Sequence, residues 1–539
     1  MSRDHLFLDL DFQELEGIST KEDLSKKVRI PENKFPPKFF FRSKDFLAGG
    51  YFVSYYPKTT INEVVSFAKK EDWKSLAELN ADFIILLIDF RRKKIQVLTD
   101  QSGKFPCYYH FSSNRIFLST SFNWVMKKIN SPSLNIEAAL EFIYRENFIV
   151  PKTLIREICS VPPATLLEIK DSKISLHPQL NPGDFLNEEF ENFDSLQSFS
   201  DKFLEVLNDS LKDRLSACEK FSFGADLSSG FDSSLINFLL KKNSDKRFIS
   251  YCEIAKKGVN DTDPDIVSAF ARKHNLNVKF INYDDFFPFS TKEDFEFIEK
   301  GPSAIQKSQL DCYLKLVSKD GNLLHFTGEG GDEAYWSNDE FLSMGLLFSK
   351  QMKYFSYISL RKFGIDKVLT SKGISFLLDK NRIRLKELTP IFVSHSVFNL
   401  FSISFDLHWE NEVWPITPFA DTRVIQATRG IPSKGVDRSV LKQEIWKLRR
   451  DIFVEGNFRQ KGGTEEHYRR FLSEKADFVV SLLKKSELGA GGWVKSQQIV
   501  KDILNKKYDL YYEGDVIAYL SNLLEVEYFV QKNKIRIPS

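Results

Sequence analysis

The sequence is poor in cysteine, and nothing in it gathers the few it has. Cys107, Cys159, Cys218, Cys252 and Cys312 are scattered with no C-x-x-C pair. That spacing argues against a zinc site or a disulfide framework and fits a reducing compartment. Long apolar runs are missing too. None approaches the roughly 18 residues of a membrane span, so no span is expected. Charge of one sign is also missing: 76 Lys and Arg face 74 Asp and Glu, for a net charge of +2. Without a long basic run, a polyanion-binding surface, and with it a nucleic-acid partner, is not suggested. The opening residues, MSRDHLFLDLDFQELEG, carry acids where a signal peptide needs an apolar stretch. A cytoplasmic protein with no membrane association is the expectation.

What is present is a chain of 539 residues, 42% hydrophobic, too long for one compact core. Two or more domains are expected. The 50 phenylalanines read as core filling rather than a binding code. Residues 37–125 read as short strands and turns: DFIILLIDF (Asp82–Phe90) and KKIQVLT (Lys93–Thr99) are joined by a charged turn. CYYHF and RIFLSTS form a hairpin around SSN. A helical pattern over Asn135–Asn147 follows, then a last strand pair, TLLEI and KISLH, with Asp171 and Ser172 at the turn. The polar stretch Asn181–Ser198, with Pro-Gly inside it, reads as a linker. Beyond it the period changes. An amphipathic helix leads into KFSFGADLS, and strands then alternate with helices: RFISYCEI, PDIVSAFARKHN, VKFINY, SAIQKSQLDCYLKLVSKD, NLLHFTGEG. Such alternation implies a parallel sheet covered on both faces. The expected organisation is an antiparallel β domain with helices over residues 1–185 and a parallel α/β domain over residues 186–539.

Two turns carry the chemistry. In DLSSGFDSSLINFLL (Asp226–Leu240) a serine-rich turn sits at the end of a strand and directly before a helix. Ligands bind beyond the carboxyl ends of parallel strands, and helix N-termini favour anions such as phosphate. Gly230 permits close backbone approach. Ser228, Ser229, Ser233 and Ser234 offer hydroxyl donors. Asp232 would repel phosphate unless a cation stood between them, which argues for Mg²⁺. The competing reading is a helix N-cap and nothing more. The second turn, HFTGEGGDEAYW (His325–Trp336), holds Glu329, Asp332 and Glu333 and opens at the same edge of the sheet. Two Asp-bearing turns over one site suit metal ions and a triphosphate. His325, within the apolar NLLHF, reads as a buried or strand-end histidine. Asp226, inside an otherwise apolar strand, has no account at this level.

With these motifs in view the chain resembles the asparagine synthetase superfamily. SSGFDSS is similar to the family's S-G-G-x-D-S-S pyrophosphate loop, with Ser229 where the first Gly usually stands. TGEGGDE resembles S-G-E-G-A-D-E. NDTDPDIVSAFARKHNL resembles the acidic helix, with Asp263 in the acidic position. GPSAI, TPFADTRVIQATRGIP, RSVLKQEIWKL and RQKGG resemble further segments in the family's order. In the N-terminal half LTDQSGKFPCYY resembles the R-D-x-x-G-x-x-P-L-Y-Y hairpin. The resemblance implies an Ntn-hydrolase-like, glutaminase-type N-terminal domain and an ATP pyrophosphatase-type synthetase domain. It implies ATP and Mg²⁺, pyrophosphate loop contacts from Ser228, Ser229, Gly230, Asp232, Ser233, Ser234, Gly328 and Gly330, and metal binding by Asp232 and Asp332. Lys461, in RQKGG, would neutralise pyrophosphate or an oxyanion, and Glu329 would be a base for the incoming amine. Arg438 and Lys442, four apart on one helix face, read as structural rather than phosphate-neutralising.

Glutamine-using members begin Met-Cys-Gly, whose cysteine attacks the glutamine amide. This chain begins Met1-Ser2-Arg3, and no cysteine lies in its first hundred residues. The N-terminal domain is therefore expected to be a degenerate scaffold. That resembles β-lactam synthetases and the macrolactam synthetases that close lasso peptides. The substrate is then a small molecule or peptide carrying both carboxylate and amine, such as a precursor peptide supplied with a partner protease. Glu329 stands where β-lactam synthetases have Tyr, as in asparagine synthetase itself, so ammonia-dependent asparagine synthesis remains an alternative. A non-catalytic family member and a tRNA-modifying or sulfur-transferring enzyme are further alternatives. The last would need a reactive cysteine pair or a basic RNA surface.

Overall fold

The structure is a computed structural model of the chain. It describes residues 5–11, 27–112, 115–145, 152–180, 195–255, 262–301, 307–334, 364–384, 395–428, 438–456, 470–512 and 516–538. The first half is built from strands β1 (Phe7–Asp11), β2 (Val28–Arg29), β3 (Lys38–Arg42), β4 (Phe46–Tyr56), β5 (Asn80–Asp89), β6 (Lys94–Thr99), β7 (Tyr108–Ser112), β8 (Arg115–Ser119), β9 (Cys159–Ser160), β10 (Thr165–Lys170) and β11 (Lys173–Pro178). They form two antiparallel sheets, β2-β1-β8-β7-β9 and β11-β10-β6-β5-β4-β3.

The run NADFIILLID has no polar alternation because β5 is covered on both faces. Ile84, Leu86 and Ile88 face the other sheet with Leu8, Leu10, Ile116 and Leu118. Phe83, Ile85 and Leu87 pack outward beneath the helix Ile61–Lys70, which buries Val64, Val65 and Ala68. The β10–β11 hairpin turns on Asp171 and Ser172, both at positive φ (49° and 58°), the backbone that a two-residue hairpin requires.

The second half carries a parallel sheet, β12 (Phe223–Asp226), β13 (Ile249–Ile254), β14 (Asn277–Asn282), β15 (Leu324–Phe326) and β16 (Trp414–Ile416). The spatial order is β14-β13-β12-β15-β16, with every neighbouring pair parallel. The chain winds from β12 to β13 to β14, then returns to the other side of β12 with β15. That reversal leaves a crevice outside the carboxyl ends of β12 and β15, where open α/β sheets take ligands.

The helix Leu196–Ala217 buries Phe199, Phe203, Leu207 and Leu211 in a core shared with both antiparallel sheets. Its N-cap Ser195 accepts from Ser198 N, so the segment expected as a linker ends earlier than Ser198. Residues 181–194 lie outside the described residues. Near the C-terminus the helix Val516–Asn533 returns to the first half and packs on Ile136–Arg145, where Asn522 donates to the carbonyls of Phe142 and Ile143. Among the described residues no helix is long and apolar enough to cross a membrane.

Candidate active site

The serine-rich turn leaves β12 at Asp226 and enters the helix Phe231–Asn243 through Gly230. Gly230 is the N-cap and supplies no side-chain cap. The N-cap reading is therefore met by the one residue that cannot cap with a side chain, and the first turn of this helix faces the crevice without one. Ser228 Oγ accepts from Gly230 N at 3.0 Å and pairs with Ser233 Oγ at 2.8 Å, while Ser233 Oγ accepts from Ser228 N at 3.0 Å. These bonds pre-form the loop. Ser234 is buried, and its hydroxyl turns inward to the Ser228 carbonyl at 3.4 Å. Ser229, in the place where the family usually has Gly, accepts from Asp263 N at 3.1 Å. Asp263 caps the helix Pro264–His274 through Asp265 N. The Ser229 hydroxyl thus ties the loop to the acidic helix, a contact that glycine could not make.

The second turn leaves β15 at Phe326. Thr327 N donates to Ile416 O (2.9 Å), Glu329 N to Thr327 Oγ1 (3.3 Å) and Gly331 N to Gly328 O (3.1 Å). Gly330 has φ +88°, a conformation that favours glycine. Gly328 and Gly331 are needed for another reason. A Cβ on Gly328 would come 3.0 Å from Ser233 N, and one on Gly331 would collide with the Asp232 carboxylate. The two turns lie in direct contact, with Asp232 wedged against the glycines of the second. The sequence points to Gly328 and Gly330; the need for Gly331 is visible only in the structure.

Across the crevice the helix Arg438–Leu448 sends in Lys442, whose Nζ lies 2.5 Å from Asp232 Oδ2 and 2.6 Å from Asp332 Oδ1. Burial works against its charge, but the two carboxylates outweigh burial and raise its pKa. Lys442 is thus a cross-link between the two Asp-bearing turns. The signal was available: Lys442 shares a helix face with the buried Ile445 and Trp446, and a lysine there requires a carboxylate partner.

The arrangement fits Mg²⁺. Two hard carboxylates from separate turns converge on one cationic position beside a preformed, serine-lined helix start. Among the described residues no three His, Cys, Asp or Glu side chains group as a metal site. Asp232 and Asp332 would thus share the ion with phosphate oxygens, as is usual for Mg²⁺.

Asp226 also finds its account. It accepts from Tyr313 OH and lies 2.5 Å from His325 Nε2, with Tyr313 OH and His325 Nε2 2.9 Å apart. Burial would raise the Asp226 pKa, but His325 and Tyr313 together lower it. Lys461, Ser2 and most of GPSAI lie outside the described residues, as do the side chains of Glu333 and Arg438.

Two family models match the chain in order. The glutamine amidotransferase domain covers residues 60–179, and asparagine synthase covers residues 202–397. The chain belongs to the asparagine synthetase superfamily. The second match includes both Asp-bearing turns. No curated protein matches. Among solved structures the chain is similar to the U34-tRNA thiolase NcsA from Methanococcus maripaludis, a protein with a 4Fe-4S cluster. The identity is 14% and the TM-score 0.23, over 56% of this chain and 79% of that one. It is also similar to an allosteric regulatory enzyme of purine biosynthesis (11%, TM-score 0.21, 52% and 74%). A third likeness is to the glutamine phosphoribosylpyrophosphate amidotransferase from B. subtilis complexed with ADP and GMP (10%, 0.18, 56% and 66%). Likenesses at these TM-scores do not bear on the reading of the site. The family's chemistry is ATP-dependent carbon–nitrogen ligation.

Proposed function

We propose that this ligase adenylates a substrate carboxylate and joins it to an amine in the same substrate, closing a lactam or macrolactam in a small molecule or peptide. The carboxylate oxygen attacks the α-phosphorus of ATP, the bond to the β-phosphate oxygen breaks, and pyrophosphate leaves. The amine nitrogen then attacks the acyl carbon, the carbon–oxygen bond to phosphate breaks, and AMP leaves. Glu329, half-buried in the second turn, is the proposed acceptor of the amine proton, and Lys461 the proposed cation for the leaving pyrophosphate. Bound Mg²⁺ would neutralise the triphosphate against the incoming carboxylate. Asp232 and Asp332 would hold it, and Ser228 and Ser233 would line the phosphate path.

The observation that carries this reading is the convergence of Asp232 and Asp332 on one cationic position. The preference for an internal amine over glutamine is supported by the thiols. Burial raises all five, with Cys218 and Cys252 pushed up to about 12, the reverse of an activated nucleophile. The reading is tested by ATP–pyrophosphate exchange against a panel of peptide and amino-acid carboxylates. Exchange that depends on the carboxylate and disappears in Asp332→Asn supports it. Exchange unchanged in that variant refutes the site. Glutamate released from glutamine in step with product would return the chain to glutamine-dependent synthesis.

A further inference from the structure

The acidic helix Pro264–His274 meets the serine-rich turn at one end and the turn behind Lys442 at the other. At its start Ser229 Oγ accepts from Asp263 N at 3.1 Å, and Asp263 caps the helix. At its end Lys273 Nζ donates to the carbonyls of Arg450 and Phe453, at 2.7 Å each, and His274 Nε2 donates to that of Ile452 at 2.6 Å. These carbonyls belong to the turn that follows the helix Arg438–Leu448, closed by Ile452 N and Phe453 N on Arg449 O. Trp446 Nε1 of that helix donates to Val454 O at 2.9 Å, so helix and turn move as one piece. The chain then runs back along the acidic helix. Val454 packs on the cluster of Leu227, Cys252, Val267 and Phe270. Gly456, at φ +88°, lies so close to Ile266 that a Cβ would come within 2.7 Å of it.

Together these contacts close a circuit. It leaves the serine-rich turn at Ser229, follows the acidic helix for about 15 Å, and crosses Lys273 and His274 to the 450–453 turn. It returns to the starting turn twice: through Lys442 to Asp232 at 2.5 Å, and through Phe453, stacked on Phe231 with ring centroids 4.4 Å apart. The loop is thus gripped on both sides of Gly230, the one position with no side-chain cap and the widest backbone freedom. Resting on the ligase reading above, we propose that Ser229, Lys273 and His274 are positioning residues that brace the pyrophosphate loop, holding the backbone N–H groups of residues 228–231 in the geometry that receives phosphate oxygens. Ser229, 2% exposed, acts through Asp263 rather than on phosphate. A cradle ordered in advance does not have to be ordered by the nucleotide, which is how a supporting shell strengthens binding without touching the ligand. A contact that served stability alone would act on the piece it touches. A brace acts at its far end.

The test uses the full chain and reads amide hydrogen exchange without nucleotide. Lys273→Met combined with His274→Phe releases the far clamp and should speed exchange at residues 228–231 about tenfold. Ser229→Ala should speed exchange at residues 450–454 in return, since coupling is reciprocal. The surface control Lys292→Met should alter neither. The functional arm is the affinity for α,β-methylene-ATP with Mg²⁺. The clamp variant and Ser229→Ala should each weaken it about tenfold, and the triple variant about tenfold rather than a hundredfold, because one circuit is being cut twice. Exchange altered only beside the substituted residues overturns the brace, as does an additive loss of about a hundredfold in the triple variant. Far-end exchange that responds while nucleotide affinity stays at the wild-type value overturns the positioning role. Should the clamp variant not fold, Ser229→Ala carries the test alone through residues 450–454. Failure of the ligase reading looks different: far-end exchange would still respond, while wild type would bind no Mg²⁺–nucleotide.

Discussion

Two carboxylate networks, one in each half of the chain, are enclosed in opposite ways. In the first half Asp82 is 3% exposed, and its Oδ2 gathers Tyr55 OH (2.7 Å), Lys104 Nζ (3.0 Å) and Trp414 Nε1 (3.0 Å). Asp100 beside it is fully buried and accepts from Phe83 N and Ser102 N. Every one of these contacts is made by the protein itself, and Trp414 belongs to β16, so the network fastens the antiparallel sheets to the parallel one. In the second half the Asp332 side chain is 51% open and shares a single ammonium with Asp232. The first network is closed and spends its acceptors on holding the halves together. The second leaves half of one carboxylate open.

The sharpest way to break that comparison is Lys104→Met. It removes the cation from Asp82 and leaves a buried acid uncompensated, which should cost about 3–5 kcal/mol of stability. Denaturant unfolding measures it. A loss below about 1 kcal/mol would mean that the first network is not a structural fastening. Lys442→Met makes the corresponding change in the second half. Asp232 and Asp332 lose their shared partner, but Asp332, half open beside the largely buried Asp232, keeps access to Mg²⁺. A smaller loss is expected, about 1–2 kcal/mol, and millimolar Mg²⁺ should restore it. A thermal shift with Mg²⁺ no larger in the variant than in wild type would contradict the equivalence of ammonium and metal.

The smallest effect concerns pH. Burial, with the Asp82 charge, pushes Asp100 up to about 7 despite Lys104 and the backbone donors. An acid whose folded pKa lies above its unfolded value of about 4 destabilises the fold increasingly as pH rises between the two. The Asp100 contribution to stability should therefore decline from pH 5 to pH 8 by on the order of 1–3 kcal/mol, and Asp100→Asn should remove that part of the decline. An unchanged slope would remove Asp100 as its source.

How much of this was legible in the sequence depended on how far apart the partners lie. The β10–β11 hairpin, the helix Leu196–Ala217 and the parallel alternation were legible because period and turn chemistry are local. Both Asp-bearing turns were legible because each is one short segment at a strand end. Lys442 was not, because the residue that explains it, Asp232, lies 210 positions away. Asp226 had no account for the same reason: His325 is 99 residues distant. A charged residue inside an apolar pattern announces that it has a partner without naming it. Gly331 was missed because its lack of a side chain serves Asp232 rather than its own backbone.

The central claim, that Asp232 and Asp332 hold the metal–nucleotide, is tested most directly by calorimetric titration of α,β-methylene-ATP into the full chain with and without Mg²⁺. The account predicts binding that requires Mg²⁺ and weakens at least a hundredfold, about 2.7 kcal/mol, in both Asp232→Asn and Asp332→Asn. Wild-type affinity retained in both variants, or binding indifferent to Mg²⁺, would contradict it.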